Sequence, residues 1–151
     1  MPRKLPDRDE LHIWREFIEA TEALRTRVTG RLHDDTGLGA GDYTVLLTLS
    51  EAPDTRLRSS ELATRVGWER SRLSHHLGRM ERRGLITRTG APGDNRGALI
   101  VMTPDGGAAF HAATIPHLRV VRELFVDALT PEQLTAAGEI AAALRDRLRD
   151  R

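Results

Sequence analysis

The stretch "RSSELATRVGWERSRLSHHLGRMERRGL", residues 58–85, decides the fold. Its first part predicts a short helix with Ser59 or Ser60 as the N-cap, because a serine hydroxyl accepts hydrogen bonds from the free N–H groups at a helix start. Gly67 is suited to the left-handed position that closes such a helix. A second helix is predicted directly after it, over residues 69–83. Two helices joined by a tight turn have the spacing of a helix-turn-helix.

The second helix is predicted to have two different faces. Leu73, Leu77 and Met80 recur at helical spacing, so they are expected to face a core. The opposite side carries hydroxyls, arginines and a histidine, which can donate hydrogen bonds to guanine edges and to phosphates. We therefore expect a recognition helix in the major groove of double-stranded DNA. The candidate DNA-contacting residues of the two helices are Ser59, Ser60, Arg70, Ser71, Arg72, Ser74, His75 and Arg79.

A long hairpin is predicted next, in "ITRTGAPGDNRGALIVMT", residues 86–103. Two runs of β-type residues, 85–89 and 98–102, flank a loop rich in turn residues at 90–97. Directly after a helix-turn-helix, such a hairpin predicts a wing. We expect Arg96 at its tip to enter the minor groove, where a narrow groove has an enhanced negative potential, and Asp94 to orient it. The alternative is an ordinary surface turn.

Composition and charge narrow the classes of function. The chain has 151 residues, no cysteine and a net charge of +1. Thiol catalysis and cysteine-ligated zinc are therefore excluded. Residues 65–96 contain eight arginines and three acids, and this local excess of positive charge suits a polyanion. No apolar run is long enough for a membrane span or a signal peptide, so we expect a cytoplasmic protein with no membrane partner.

Helical periodicity precedes the helix-turn-helix. Residues 9–34 form an amphipathic stretch that is too long to bury its apolar stripe against a small domain alone. Residues 42–51 predict a second, largely buried helix, whose apolar residues are Val45, Leu46, Leu47 and Leu49.

Further helices are predicted after the hairpin. Thr103 and Pro104 are a typical N-cap and first-turn pair. Pro116 is expected to kink or interrupt the helix that they open. Thr130 and Gln133 have the spacing of a capping box at the start of the last helix.

The sequence resembles the MarR family of bacterial transcriptional regulators. The matching stretches are "LATRVGWERSRLSHHLGRMERRGLI" and "DNRGALIVMTPDG", residues 94–106, which is similar to the family's Asp-x-Arg wing signature with its Leu-Thr-x-x-Gly continuation. Met102 stands where leucine is usual in that continuation. Ser71, Arg72, Ser74 and His75 match the positions that read the major groove, and Arg96 and Asp94 match the wing tip and its partner. His75 and Arg72 differ from the residues common at their positions, arginine and threonine.

The resemblance implies a mainly α fold with a small β-hairpin, in a single regulator domain over 1–151. A winged helix-turn-helix at 42–104 would be flanked by dimerisation helices at 9–34 and 105–150. The implied protein is an obligate homodimer that binds a pseudo-palindromic DNA operator as a repressor and is relieved by a small-molecule effector. The aromatic residues that could line an effector cavity, or simply belong to the core, are Trp14, Phe17, Tyr43 and Trp68.

Two other functions stay open. In a zinc-responsive regulator of the same fold, His33 with Asp34 and Asp35 would join His111 or His117. In a helical dimer used only for protein contacts, the winged helix would no longer bind DNA. An enzyme is not expected, because the sequence has no phosphate-binding glycine loop, nucleophile elbow or metal-binding helix signature. No cofactor and no resident metal are expected either.

Overall fold

The computed structural model of the chain describes residues 4–90 and 97–149. Contacts divide the chain into two compact units. The DNA-binding unit, as we call it from its predicted role, comprises Thr29–His117, and the terminal unit comprises the residues up to Val28 and those from Leu118 onward. The elements in chain order are α1 (Arg8–Thr36), α2 (Ala40–Ser50), a 3-10 turn (Pro53–Thr55), β1 (Arg56–Arg58), α3 (Ser59–Val66), α4 (Arg70–Arg82), β2 (Ile86–Thr89), β3 (Leu99–Met102), α5 (Pro104–Val121), a π-type turn (Arg122–Val126) and α6 (Pro131–Arg149).

The hairpin prediction is confirmed, but the sheet has one strand more than predicted. β2 and β3 pair in antiparallel register, with Ile86 opposite Met102. β1 pairs with the other edge of β3, where Leu57 lies opposite Ile100, so the strand order is β1-β3-β2. The sequence predicts no strand at the position of β1. A single buried leucine between two arginines is too short a pattern to predict a strand. Residues 56–58 form a strand because they pair with β3.

The core of the DNA-binding unit lies between the helices and this sheet. The inward prediction for Leu73, Leu77 and Met80 is confirmed, because each is at most 1% exposed. Of the apolar residues in the predicted, largely buried helix α2, Val45, Leu46 and Leu49 are buried, but Leu47 is 39% exposed. Only one face of α2 meets the core, and Leu47 lies on the other face. The remaining largest fully buried side chains of this unit are Val45, Leu46, Leu49, Leu62, Ile86 and Ile100.

The start of α3 differs from the prediction. Ser59 and Ser60 are already helical, and the N-cap is Arg58, whose side chain makes no capping hydrogen bond to the helix start. The N–H of Ser59 instead donates to the Ala98 carbonyl at 2.8 Å, so the neighbouring sheet backbone takes the place of a capping hydroxyl. The predicted end is confirmed, since Gly67 has a φ of 69°.

The start of α5 is as predicted, and the helix is continuous past Pro116. The Thr103 hydroxyl accepts a hydrogen bond from the Gly106 N–H at 2.9 Å and donates one to the Gly84 carbonyl at 2.6 Å. The helix continues through Pro116 to Val121, so of the two predicted effects of the proline, a kink or an interruption, the interruption does not occur. A proline removes only one N–H, and the helical turns on either side persist here. The irregular π-type turn begins later, at Arg122.

The terminal unit, taken by itself, has little core. The capping box at α6 is confirmed, with reciprocal hydrogen bonds between Thr130 and Gln133 of 2.9 and 3.2 Å. Within the described part of this unit, Val120 is the one buried residue. Several large apolar side chains are exposed instead: Leu11, Ile13, Trp14, Phe17, Leu118, Ile140, Leu144 and Leu148. In the described part of the chain, no helix has the length and apolar content of a membrane span.

Candidate nucleic-acid interface

The outer face of α4 is a continuous polar surface. While Leu73, Leu77 and Met80 anchor the helix in the core, the side chains on the other side are open to solvent. The structure therefore places the predicted α4 residues on one exposed face: Arg70, Ser71, Arg72, Ser74, His75 and Arg79. We call this set the donor face, because its side chains can donate hydrogen bonds to an external acceptor.

Trp68, in the turn before α4, supports one arginine of the donor face. The guanidinium carbon of Arg72 lies 4.6 Å from the centroid of the Trp68 ring, a cation–π arrangement. Such stacking restricts the rotamers of a long side chain before any ligand arrives. Of the two interpretations of Trp68, effector cavity or core, the structure favours the core: the side chain is partly buried against the core cluster and also contacts Arg72 and His76.

A cleft of about 340 Å³ connects the start of α3, the start of α4 and the base of the wing. Ser59 and Ser60 are half-buried there, at a helix start whose N–H groups favour anions. Gly97, with a φ of 81°, closes the cleft at the wing, and a side chain at this position would overlap Ser59. The polar residues that meet at the cleft are Ser59, Ser60, Arg70, Ser74 and Arg88.

Arg88 is a site residue that sequence reasoning missed. It lies on β2, and its backbone N–H and guanidinium both donate to the Glu81 carboxylate of α4, at 2.9 to 3.3 Å. Its Nη1 also donates to the Ser74 carbonyl at 3.3 Å. Arg88 lines a second depression, of about 300 Å³, together with His75 and Arg79. The only signal for Arg88 in the sequence is that it is one of the eight arginines in residues 65–96. No spacing rule pairs residues 81 and 88.

Behind the donor face, Asp42 of α2 holds the C-terminal half of α4. This carboxylate is 5% exposed, and its Oδ2 accepts hydrogen bonds from the Gly39 N–H at 2.9 Å and from Arg83 Nη1 at 2.6 Å. Arg83 Nη2 also donates to the Gly37 carbonyl at 3.1 Å. A buried charge needs such partners to offset its lost hydration, so Asp42 fixes the loop before α2 against α4.

The His76 ring contacts both the Asp42 carboxylate and the Trp68 ring. Its Nε2 is 3.0 Å from Asp42 Oδ1, at an angle outside hydrogen-bond geometry, and its ring meets the edge of Trp68 at 5.3 Å between centroids. Its Nδ1 is 3.1 Å from Nη2 of Arg79. Burial is the main cause that lowers the pKa of His76, and it outweighs the opposite effect of the Asp42 charge.

The wing tip lies outside the described residues, and with it Asp94 and Arg96. Their roles stay predictions. The strands that lead to the tip are described up to Gly90 and from Gly97, and both belong to the sheet that packs behind the helix-turn-helix.

The histidines considered for zinc do not form a metal centre in the described part of the chain. Residues 4–90 and 97–149 bring together no group of three histidine, aspartate or glutamate side chains that could hold a metal ion. His117 instead packs against the Tyr43 ring at 4.5 Å, and Tyr43 in turn lies 5.3 Å from the Phe110 ring. Burial lowers the pKa of His117. The geometry therefore gives the zinc alternative no support.

A short helix, a glycine turn, a second helix with an exposed donor face and a strand pair define a winged helix-turn-helix protein. A model of the MarR family matches residues 36–97. The chain is 32% identical to AbsC of Streptomyces coelicolor, a MarR family transcriptional regulator, with a TM-score of 0.88 over 99% of this chain and 100% of that one. The chain therefore belongs to the MarR family of transcriptional regulators.

Two further solved structures are similar. Sco3205 of Streptomyces coelicolor, a MarR family transcriptional regulator, was solved in complex with DNA. It is 35% identical to this chain, with a TM-score of 0.87 over 95% of this chain and 94% of that one. The organohalide-sensing regulator RdhR, in a form with 2,4-dichlorophenol bound, is 19% identical, with a TM-score of 0.79 over 97% of this chain and 88% of that one, and shows the fold alone. A comparison with curated proteins found no match.

Proposed function

We propose that this regulator binds double-stranded DNA in a sequence-specific manner as a cytoplasmic homodimer, with α4 in the major groove and the wing, residues 90–97, in the minor groove. The observation that carries the proposal is the donor face of α4, where three arginines, two serines and a histidine are exposed on a helix whose other side is anchored in the core. The DNA-bound structure of Sco3205 supports it.

The positions of the site residues suggest that some contact the phosphates of DNA and others contact the bases. Ser59, Ser60 and Arg70 lie at two helix starts around one cleft, which suits a phosphate of the DNA backbone. Arg72 and His75 lie further along the exposed side of α4, where side chains of a recognition helix reach base edges. Arg88 lines both the cleft and the second depression, where its guanidinium can donate to a backbone phosphate.

The proposed dimer rests on the terminal unit. Its helices expose leucine, isoleucine, tryptophan and phenylalanine side chains that a stable soluble protein normally covers. A second copy related by a two-fold axis would cover them with the same surface of its own chain. Two recognition helices related in this way require a pseudo-palindromic operator.

We propose further that the protein is a repressor that a small-molecule effector releases from DNA. The ligand-bound structure of RdhR supports only the capacity of this fold to hold a small molecule. The test of this finer proposal is transcription from the cognate promoter in cells with and without the regulator gene, since an activator would give the opposite change.

The decisive experiment is selection of duplexes from a random-sequence library by the full-length protein, with heparin as competitor. We expect enrichment of a pseudo-palindrome whose half-site centres lie about one helical turn apart or a near multiple. Arg147→Ala is the matched control, because it removes one positive charge from α6 instead of α4 and should select the same sequence. A wild-type protein that enriches no sequence and is fully displaced by heparin would instead support the protein-interaction alternative.

A further inference from the structure

His76 is adjacent in sequence to a candidate base-reading residue but points away from the donor face. Its ring fits between α2 and the turn before α4, where Gly41 lacks the side chain that would occupy the same space. Asp42 lies on one side of the ring and Trp68 at its edge. On the side nearest the solvent, the ring meets the exposed guanidinium of Arg79.

The contact with Arg79 determines which ring nitrogen carries the proton. A guanidinium is always protonated and can only donate hydrogen bonds, so His76 Nδ1 must accept in the 3.1 Å contact with Arg79 Nη2. The proton of the neutral ring therefore sits on Nε2, which faces Asp42 Oδ1 at 3.0 Å. The negative charge of Asp42 favours this tautomer over the one with a lone pair on Nε2, although the contact is outside hydrogen-bond geometry, and it thus favours the lone pair on Nδ1 that Arg79 needs.

We propose that His76 is a positioning residue for DNA binding, whose neutral ring holds the Arg79 guanidinium on the donor face and whose protonation releases it. This inference rests on the proposed DNA-binding function. When the ring takes a second proton, the proton goes to Nδ1. The nitrogen then has no lone pair for Arg79, and the imidazolium repels the guanidinium.

The charges around the ring support a response to acidification. Asp42 faces it from α2, Arg72 and Arg79 face it from α4, and Arg83 approaches the same carboxylate from the end of α4. Burial lowers the pKa of His76, Asp42 raises it, and the two α4 arginines lower it. Burial is the largest of these effects, so the ring is expected to take its second proton, and to release Arg79, at a pH below the ordinary histidine value of 6.5.

The first test is a double-mutant cycle on a duplex selected by the wild-type protein, at fixed salt and pH 7.5. His76→Leu should weaken binding roughly fivefold, the effect of losing one hydrogen bond of ordinary strength at a solvent-exposed contact. In a chain that already carries Arg79→Ala, the same substitution should cause almost no further loss. A full, additive loss in that background would overturn the proposal, because His76 would then act by another route.

The second test separates positioning from a general structural role. His76→Asn places an amide oxygen near the position of Nδ1 but cannot be protonated in this range, so it should recover most of the affinity that His76→Leu loses. The affinity ratio between the wild-type protein and Arg79→Ala should shrink as the pH falls from 7.5 to 5.5. The ratio between His76→Asn and His76→Asn with Arg79→Ala should stay constant, and thermal unfolding should show that each variant is folded.

The two proposals fail in different ways. If the wild-type protein selects no DNA sequence, the proposed function fails and this inference falls with it. If the wild-type protein selects DNA but the ratio to Arg79→Ala is independent of pH, only the role of His76 is refuted.

Discussion

The guanidinium of Arg88, on β2, lies against the carboxylate of Glu81, near the end of α4. Nε and Nη2 approach Oε1 at 3.3 and 3.2 Å, and the backbone N–H of the same arginine donates to Oε2 at 2.9 Å. The strand that leads into the wing is thereby fixed to the helix that carries the donor face. We expect this pair to set the orientation of the wing relative to α4.

Glu81→Gln should therefore weaken binding to the selected duplex several-fold, although it removes a negative charge from a surface that should meet phosphates. A purely electrostatic effect would have the opposite sign. The stability cost should stay within about 1 kcal/mol, because the pair is partly exposed. Fluorescence anisotropy and urea unfolding measure the two effects. Glu61→Gln, on the exposed side of α3, is the charge-matched control and should not weaken binding.

Arg72 and His75 are expected to determine base preference. Substitution of either by alanine should relax the preference at particular positions of each half-site by roughly 1–3 kcal/mol if the contact is bidentate. Affinities for a set of single-base variants of the selected duplex provide the measurement. An equal loss on every duplex would make these side chains phosphate anchors.

The apolar face of the terminal unit should control assembly. Leu144→Glu places a charge on an exposed apolar face of α6, so it should shift the protein from a dimer of about 34 kDa, twice the 16.8 kDa chain, toward the monomer. Sedimentation equilibrium measures the mass. Arg145→Glu, a polar substitution at the neighbouring position of the same helix, should leave the dimer intact. A wild-type protein that is a folded monomer at micromolar concentration would refute the proposed dimer.

Arg96 at the wing tip should contribute to binding without contributing to folding. Arg96→Ala should weaken binding and lower the salt dependence by no more than about one charge's worth of slope, with an unchanged melting temperature. The loss should shrink when flanking A·T pairs are changed to G·C, since a wider minor groove has a weaker negative potential. Asp94→Ala should give a smaller loss and add little when Arg96 is already alanine. Unchanged affinity for Arg96→Ala would instead support the alternative that this loop is an ordinary surface turn.

His117 should make the folded state sensitive to acid. Its Nδ1 is buried without a hydrogen-bond partner, and burial lowers its pKa below the ordinary value of 6.5. As the pH falls, the unfolded chain therefore binds this proton at a higher pH than the folded chain does. The stabilisation of the folded state by the neutral ring is complete above pH 6.5 and is lost as the pH falls toward the lowered pKa. His76 acts in the same direction. Urea unfolding between pH 7.5 and 5.5 should show a shallower pH dependence for His117→Leu than for the wild-type protein, while His111→Leu, an exposed position of the same helix, should retain the wild-type dependence.

Local patterns in the sequence were sufficient for most of the fold and for the donor face. The spacing of Leu73, Leu77 and Met80 places the arginines on the other side of α4, because the period of the helix leaves no other choice. Gly67 and the Thr130–Gln133 pair likewise act within one turn of their own helix. Patterns of this kind depend on neighbours in sequence, so they can be derived without knowledge of the rest of the chain.

The contacts that organise the candidate site depend instead on tertiary structure. Asp42 meets Arg83 across 41 positions of sequence, and β1 becomes a strand because β3 lies beside it. Arg58 replaces the serines as the N-cap of α3, because the Ala98 carbonyl, directly before β3, accepts the N–H of Ser59. The sequence by itself determined the helix-turn-helix and the residues that it exposes, since periodicity and helix caps are local. Only the tertiary structure decided which charges hold those residues in place, because a buried carboxylate selects its partners through space.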